Sequence, residues 1–130
     1  MRQPADRRIY PRFVLPSMYT DIAIRTLDEQ TFDLEGHAYD LSIGGMRFEL
    51  DRGLEPGQVV AARLSLPSSA LRWTDRRPIY AMTRLVWVNQ DDIEECGPVR
   101  MACVFNRFMQ PGDEARLVEA LKSGRYALAA

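Results

Sequence analysis

Apolar and polar residues alternate along most of this chain with a period of two, the spacing that predicts strands. Tyr19, Asp21, Ala23 and Arg25 face away from Thr20, Ile22, Ile24 and Thr26 in a first strand. A polar turn at Asp28-Glu29 leads to a second strand over 31–40. Gly44-Gly45 then break the chain, and Met46, Phe48 and Leu50 alternate with Arg47, Glu49 and Asp51 in a third. Glu55-Pro56-Gly57 is a turn signal. Behind it Val60, Ala62, Leu64 and Leu66 oppose Val59, Ala61, Arg63 and Ser65 in a fourth strand, stopped by Pro67. The stretch 67–78 reads as loop, and a fifth strand runs from Ile79 to Val88 with Leu85-Val86-Trp87-Val88 as its apolar end. An acidic run (Asp91, Asp92, Glu94, Glu95) and Gly97-Pro98 form the next connection. Val99, Met101, Cys103 and Phe105 alternate with Arg100, Ala102, Val104 and Asn106 in a sixth strand. Short strands at this spacing predict an all-β barrel or sandwich.

Both ends depart from that pattern. The first residues are punctuated by Pro4, Pro11 and Pro16, which lack an amide donor and favour extended neighbours, so they read as an arm. Near the other end, Pro111 sits where a helix tolerates proline, and Asp113 and Glu114 suit the positive end of its dipole. Leu117, Val118 and Leu121 share one face, and Gly124 offers a stop, which predicts a helix over Gly112–Ser123 packed on the barrel. The expected layout is one domain: an arm at 1–15, a β-barrel at 16–109, a helix at 110–124 and a tail at 125–130.

With 130 residues, 46% hydrophobic and 27% charged, the chain fits one globular domain and needs no disulfide or metal to fold. It contains no transmembrane run, so no membrane insertion is expected. Met1 to Arg8 holds three arginines and no apolar core, so it is not a signal peptide, and with only Cys96 and Cys103 the expected location is cytoplasmic. The lone His37 reads as a surface strand residue, Trp73 as a loop anchor, Trp87 as a core residue and Cys103 as a buried small hydrophobe. Arg76 and Arg77 read as a solvated loop pair. One histidine, dispersed acids and no nucleophile motif predict a protein that is not an enzyme and holds no metal or cofactor.

Charge is balanced overall, 17 basic against 18 acidic residues, which argues against a nucleic-acid coat. Its distribution is uneven. Arg2, Arg7, Arg8 and Arg12 crowd the arm with only Asp6 for company, whereas 28–40 holds five acids and no Lys or Arg. All but one of the basic residues are arginine. Guanidinium presents a planar fork suited to phosphates and to the guanine O6/N7 edge, so a small anionic, guanine-bearing ligand would use it well.

Two short motifs stand out. Arg7-Arg8-Ile9-Tyr10-Pro11-Arg12 contains an R-x-x-x-R spacing at Arg8 and Arg12, ahead of the first strand. Asp40-Leu41-Ser42-Ile43-Gly44-Gly45 is a D-x-S-x-x-G with an extra glycine, between two strands. Read singly, the first is a solvated arm and the second a strand-to-strand turn. Together and in this order they resemble the PilZ domain, the bacterial cyclic di-GMP receptor module, over nearly the whole chain from about Arg7 to Ser123. Leu54-Glu55-Pro56-Gly57 is similar to the family's middle hairpin, and Leu85-Val86-Trp87 to its apolar strand. Met101-Ala102-Cys103-Val104-Phe105 is similar to its last strand, with Ala102 where the family commonly has glycine.

The resemblance implies a six-stranded antiparallel β-barrel with an N-terminal arginine arm and a C-terminal helix, and cyclic di-GMP as ligand. Arg8 and Arg12, with Arg7 beside them, would grip phosphates and guanine edges. Asp40 would accept from guanine N1–H and N2–H₂, and Ser42 would serve a phosphate or neighbouring backbone. Gly45 would allow a turn or close ligand approach where a Cβ would collide, with Gly44 supporting that turn. The implied function is an effector that relays the signal to an unidentified downstream protein, as a monomer or weak dimer. The alternative is a PilZ-like adaptor that binds no nucleotide and works through protein contacts. Mutual repulsion of the arginines predicts an arm that orders only when a ligand's phosphates offset their charge.

Overall fold

The computed structural model describes residues 11–15, 20–66, 77–124 and 126–128. Among the described residues seven strands and two helices follow one another: β1 (Phe13–Val14), β2 (Asp21–Thr26), β3 (Leu34–Leu41), β4 (Gly45–Leu50), β5 (Val59–Ser65), β6 (Ile79–Val88), α1 (Gln90–Glu94), β7 (Val99–Phe108) and α2 (Asp113–Lys122). Six of the strands pair antiparallel in the order β3-β2-β5-β6-β7-β4, and β4 returns to β3, which closes the barrel. Closure leaves no exposed edge along this ring.

The period-two pattern explains the core. Ile22 and Ile24, Met46, Phe48 and Leu50, Val60, Ala62 and Leu64, and Val99, Met101 and Cys103 all point inward and are buried together. Burial pushes the Cys103 thiol up to about 12, so it stays protonated and inert at neutral pH.

Three features differ from the sequence reading. A seventh strand exists, because the last residues of the expected arm are built into the sheet. Phe13 pairs with Leu41 and Val14 with Asp40, and Leu15 is buried. The tail clasps the other edge of this strand: the Val14 amide donates to the Ala127 carbonyl (2.8 Å), Phe13 bridges Leu128, and Tyr126 is buried in the core. The acidic connection is a short helix, α1. The Asn89 side chain caps its first amides, and Asp92 accepts from the Arg100 amide (3.0 Å), Nε (2.9 Å) and the second guanidinium nitrogen (3.1 Å). These hydrogen bonds lower the Asp92 carboxyl below its usual range. Arg7, Arg8, Trp73 and Arg76 lie outside the described residues.

α2 forms as its sequence predicts, with Gly112 at its N-cap and Gly124 in the left-handed region just past its end. It is bolted to the start of β6 by a buried ion pair. Asp113, 1% exposed, accepts from the Tyr80 amide (3.0 Å) and from Arg116 (3.2 Å), while Arg116 also donates to the Pro78 (3.4 Å) and Arg77 carbonyls. Removing one partner of a buried pair leaves an uncompensated charge. Asp113→Ala should therefore cost about 3–5 kcal/mol, read as a lower midpoint in chemical denaturation.

Candidate functional site

β3 carries the decisive irregularity. Ala38 pairs with Phe48, but Asp40 pairs with Arg47, so two steps on β3 answer one on β4. This bulge at Tyr39 resets the alternation. Without it Asp40 would share the inward phase of Ala38; with it Leu41 turns into the core (0% exposed) and Asp40, still buried at 8% exposed, takes the phase of Arg47 on the outer face. The bulge is stitched from the other edge of β3, where the Leu15 amide donates to the Tyr39 carbonyl and the Ala38 amide to the Thr20 carbonyl, both 3.0 Å. Burial raises the Tyr39 phenol, which remains neutral.

Asp40 thus lies between Val14 of β1 and Arg47 of β4. The Arg47 Nε stands 3.7 Å from its Oδ2. Arg12 immediately precedes Phe13, which pairs with Leu41, so continuing the register sets Arg12 across from Ser42. The second arginine of the R-x-x-x-R motif and the D-x-S-x-x-G motif therefore meet on one surface. Arg7 and Arg8 lie further up the arm, outside the described residues.

Ser42 and the glycines form the turn into β4. The Ser42 Oγ accepts from the Gly44 amide (3.0 Å) and the Gly45 amide (3.2 Å), and the Ser42 amide donates to the Gly45 carbonyl (2.9 Å). Of the two partners expected for this hydroxyl, neighbouring backbone is the one it holds here. The Gly44 carbonyl accepts from the Phe105 amide (2.8 Å), which ties the turn to β7. Strand packing by itself requires glycine at position 45. Its φ is not positive, and a Cβ there would lie 2.2 Å from the Cys103 carbonyl oxygen of the adjacent strand. The residue lets β4 and β7 approach.

A second bulge brings in residues that the sequence reading assigned elsewhere. Leu85 pairs with Cys103 and Trp87 with Ala102, so Val86 is extra. Leu85 and Val88 stay inside, whereas Val86 (54% exposed) and Trp87 (45%) both turn out. Trp87 is therefore a surface residue and not part of the core, because the bulge moves it out of phase. Asp40, Arg47, Ala102 and Trp87 are direct partners across β3, β4, β7 and β6. At the usual strand spacing this outward row spans about 14 Å. The small Ala102 forms its floor, between a carboxylate with its guanidinium on one side and an indole on the other. No local pattern announced Arg47 or Trp87 as part of this surface; the run of four apolar residues at 85–88 contained the signal only in failing to alternate.

Elsewhere a cavity of about 530 Å³ opens near the start of β3, walled by Asp21, Glu35, Glu49 and Asp51 with His37 and Arg63. His37 is half-buried there, its Nε2 3.4 Å from Asp21, which agrees with a surface strand residue. Four carboxylates make that cavity hostile to an anion. Among the described residues no cluster of His, Cys, Asp or Glu could hold a metal ion, and no helix is long and apolar enough to cross a membrane.

A closed six-stranded antiparallel barrel with a C-terminal helix and this motif pair defines a small module of the PilZ type. A PilZ domain model matches residues 6–123, and the chain belongs to that family. Among solved structures, it is similar to the Escherichia coli protein YcgR in complex with c-di-GMP, with a TM-score of 0.63 and 23% identity over 90% of this chain and 45% of that one. It also resembles the Bacillus subtilis inhibitor of motility MotI/DgrA (TM-score 0.62, 21% identity, 89% of this chain and 50% of that). A third is the K. pneumonia MrkH–c-di-GMP complex (TM-score 0.65, 19% identity, 89% and 50%). The chain spans about half the length of these proteins, and at such identities the likeness is one of fold. No curated protein matches.

The close approach at Gly45 gives a test that needs no ligand. Gly45→Ala should lower thermal stability by several degrees, because backbone of β4 or β7 must shift to admit the methyl group. Loss of binding in that variant would then report on the barrel; differential scanning calorimetry checks the stability.

Proposed function

We propose that this chain is a cyclic di-GMP receptor that relays the nucleotide signal to a partner protein. The observation that carries the reading is the pairing of β1 with the bulged end of β3, which sets Arg12 beside Asp40 and the Ser42 turn. A ligand with two phosphates and two guanines needs cations, a carboxylate that reads the guanine N1–H and N2–H₂ edge, and flat surfaces for its bases. Arg12 supplies the first, with Arg8 and Arg7 following it up the arm. Asp40 supplies the second. Ser42 and Gly44 hold the turn that frames the site, and Gly45 lets that turn sit against β7. Trp87, exposed beyond the Ala102 floor, offers an indole face for a purine.

Titration of the purified chain by isothermal calorimetry should show heat with cyclic di-GMP and none with cyclic di-AMP or GTP. Heat with none of the three would favour the adaptor reading instead. Arg12→Ala and Asp40→Ala should each weaken binding by about 1–3 kcal/mol, the range for one bidentate base contact. Trp87→Ala should lose about 1–3 kcal/mol of stacking. Wild-type affinity in all three variants would overturn the assignment.

The relay follows from where the arm enters. β1 holds the arm's root next to Asp40, so arginines further up the arm reach a ligand on the outer face only by lying across it. That placement would change the surface a partner meets while the barrel keeps its shape. Amide exchange should show residues ahead of Phe13 gaining protection when cyclic di-GMP is added. Protection that does not change would put the switch elsewhere.

A further inference from the structure

Arg47 belongs to neither motif, yet it is the residue directly opposite Asp40 in the β3–β4 register. From this geometry we infer that Arg47 is a positioning residue: it sets the Asp40 carboxylate for guanine and so contributes to base selection, a role that rests on the nucleotide reading above.

The bulge at Tyr39 decides which face Asp40 occupies but not the plane of its carboxylate. The last torsion of an aspartate side chain is broad, roughly two-fold, and needs an outside group to fix it. Arg47 is one group placed to bias it through charge: its Nε lies 3.7 Å from Oδ2 on the adjacent strand, an ion-pair distance longer than a hydrogen bond. The pair is also graded in exposure, with the Asp40 side chain at 12% and that of Arg47 at 45%. Asp40 is thus mostly withdrawn from water, while its partner reaches out along the face that bears Ala102 and Trp87. Each carboxylate oxygen can accept more than one donor, so an Oδ2 steadied by Arg47 can still receive a guanine N–H.

Charge leads to the same role. A cyclic dinucleotide carries two negative phosphates, and a bare carboxylate beside them would oppose binding. The Arg47 cation offsets that repulsion without occupying the guanine-reading edge. Lysine would keep the charge but lose the planar fork whose Nε sits against Oδ2, so the two contributions can be separated.

Calorimetry of the full chain with cyclic di-GMP and with the mixed guanine–adenine cyclic dinucleotide makes the test. Absence of binding by the wild-type protein would remove the nucleotide reading itself. Given wild-type binding, Arg47→Ala should lose about tenfold in affinity for cyclic di-GMP, the scale of one charge-assisted contact, and its preference over the mixed dinucleotide should shrink several-fold. Arg47→Lys should recover most of the affinity and little of the preference. In an Asp40→Asn background, Arg47→Ala should cost no further preference. Arg47→Gln, which retains the stem, carries the same expectation as the alanine variant and guards against loss through packing. Wild-type preference in Arg47→Ala and Arg47→Gln would overturn the inference, as would an equal loss of preference in the Asp40→Asn background.

Discussion

Two bulges decide which side chains this barrel presents on its outer face. A strict alternation along β3 would point the Asp40 carboxyl into the apolar interior and expel Leu41. The extra residue at Tyr39 reverses both. The second bulge, at Val86, does the same for Trp87, moving an indole from the expected core to the surface. Both irregularities serve one outward row, in which Asp40, Arg47, Ala102 and Trp87 follow one another across four strands. Bulges cost ladder hydrogen bonds, and at the first the Leu15 and Thr20 backbones hold the opposite edge of β3. The same strands that fill the core with Leu41, Phe48, Met101 and Leu85 thereby present a polar and aromatic face outside.

The arm and the tail meet at this face. β1 is held on one edge by β3 and on the other by residues 127–128, while Tyr126 anchors the tail in the core. Chain segments more than a hundred residues apart therefore fix the strand that follows Arg12. α2 stands upstream of that tail and is itself secured by Asp113 and Arg116 to the start of β6.

A near-neutral net charge conceals a partition. Carboxylates gather around the cavity at the start of β3, whereas Arg47 stands at the bulged end.

The sequence by itself determined the inward residues of β2, β4, β5 and β7, the helix with its glycine stop, and the family to which the motif pair points. These are local properties: period-two alternation, capping chemistry and residue types at fixed short spacing. Arg12, Asp40, Ser42, Gly44 and Gly45 were legible as a group for the same reason. Tertiary structure alone decided that Phe13–Val14 forms a strand, that the tail clasps it, that Trp87 faces outward and that Arg47 stands against Asp40. The acidic connection became α1 because Asn89 caps it and Arg100 grips Asp92 from the following strand. Gly45 is needed for the approach of β7, which lies more than fifty residues away. Each of these depends on register between distant strands, and one inserted residue reverses every side chain beyond it. Local pattern carries no record of which strand will lie alongside, so the pairing partner, not the residue's own neighbours, settles which face it serves.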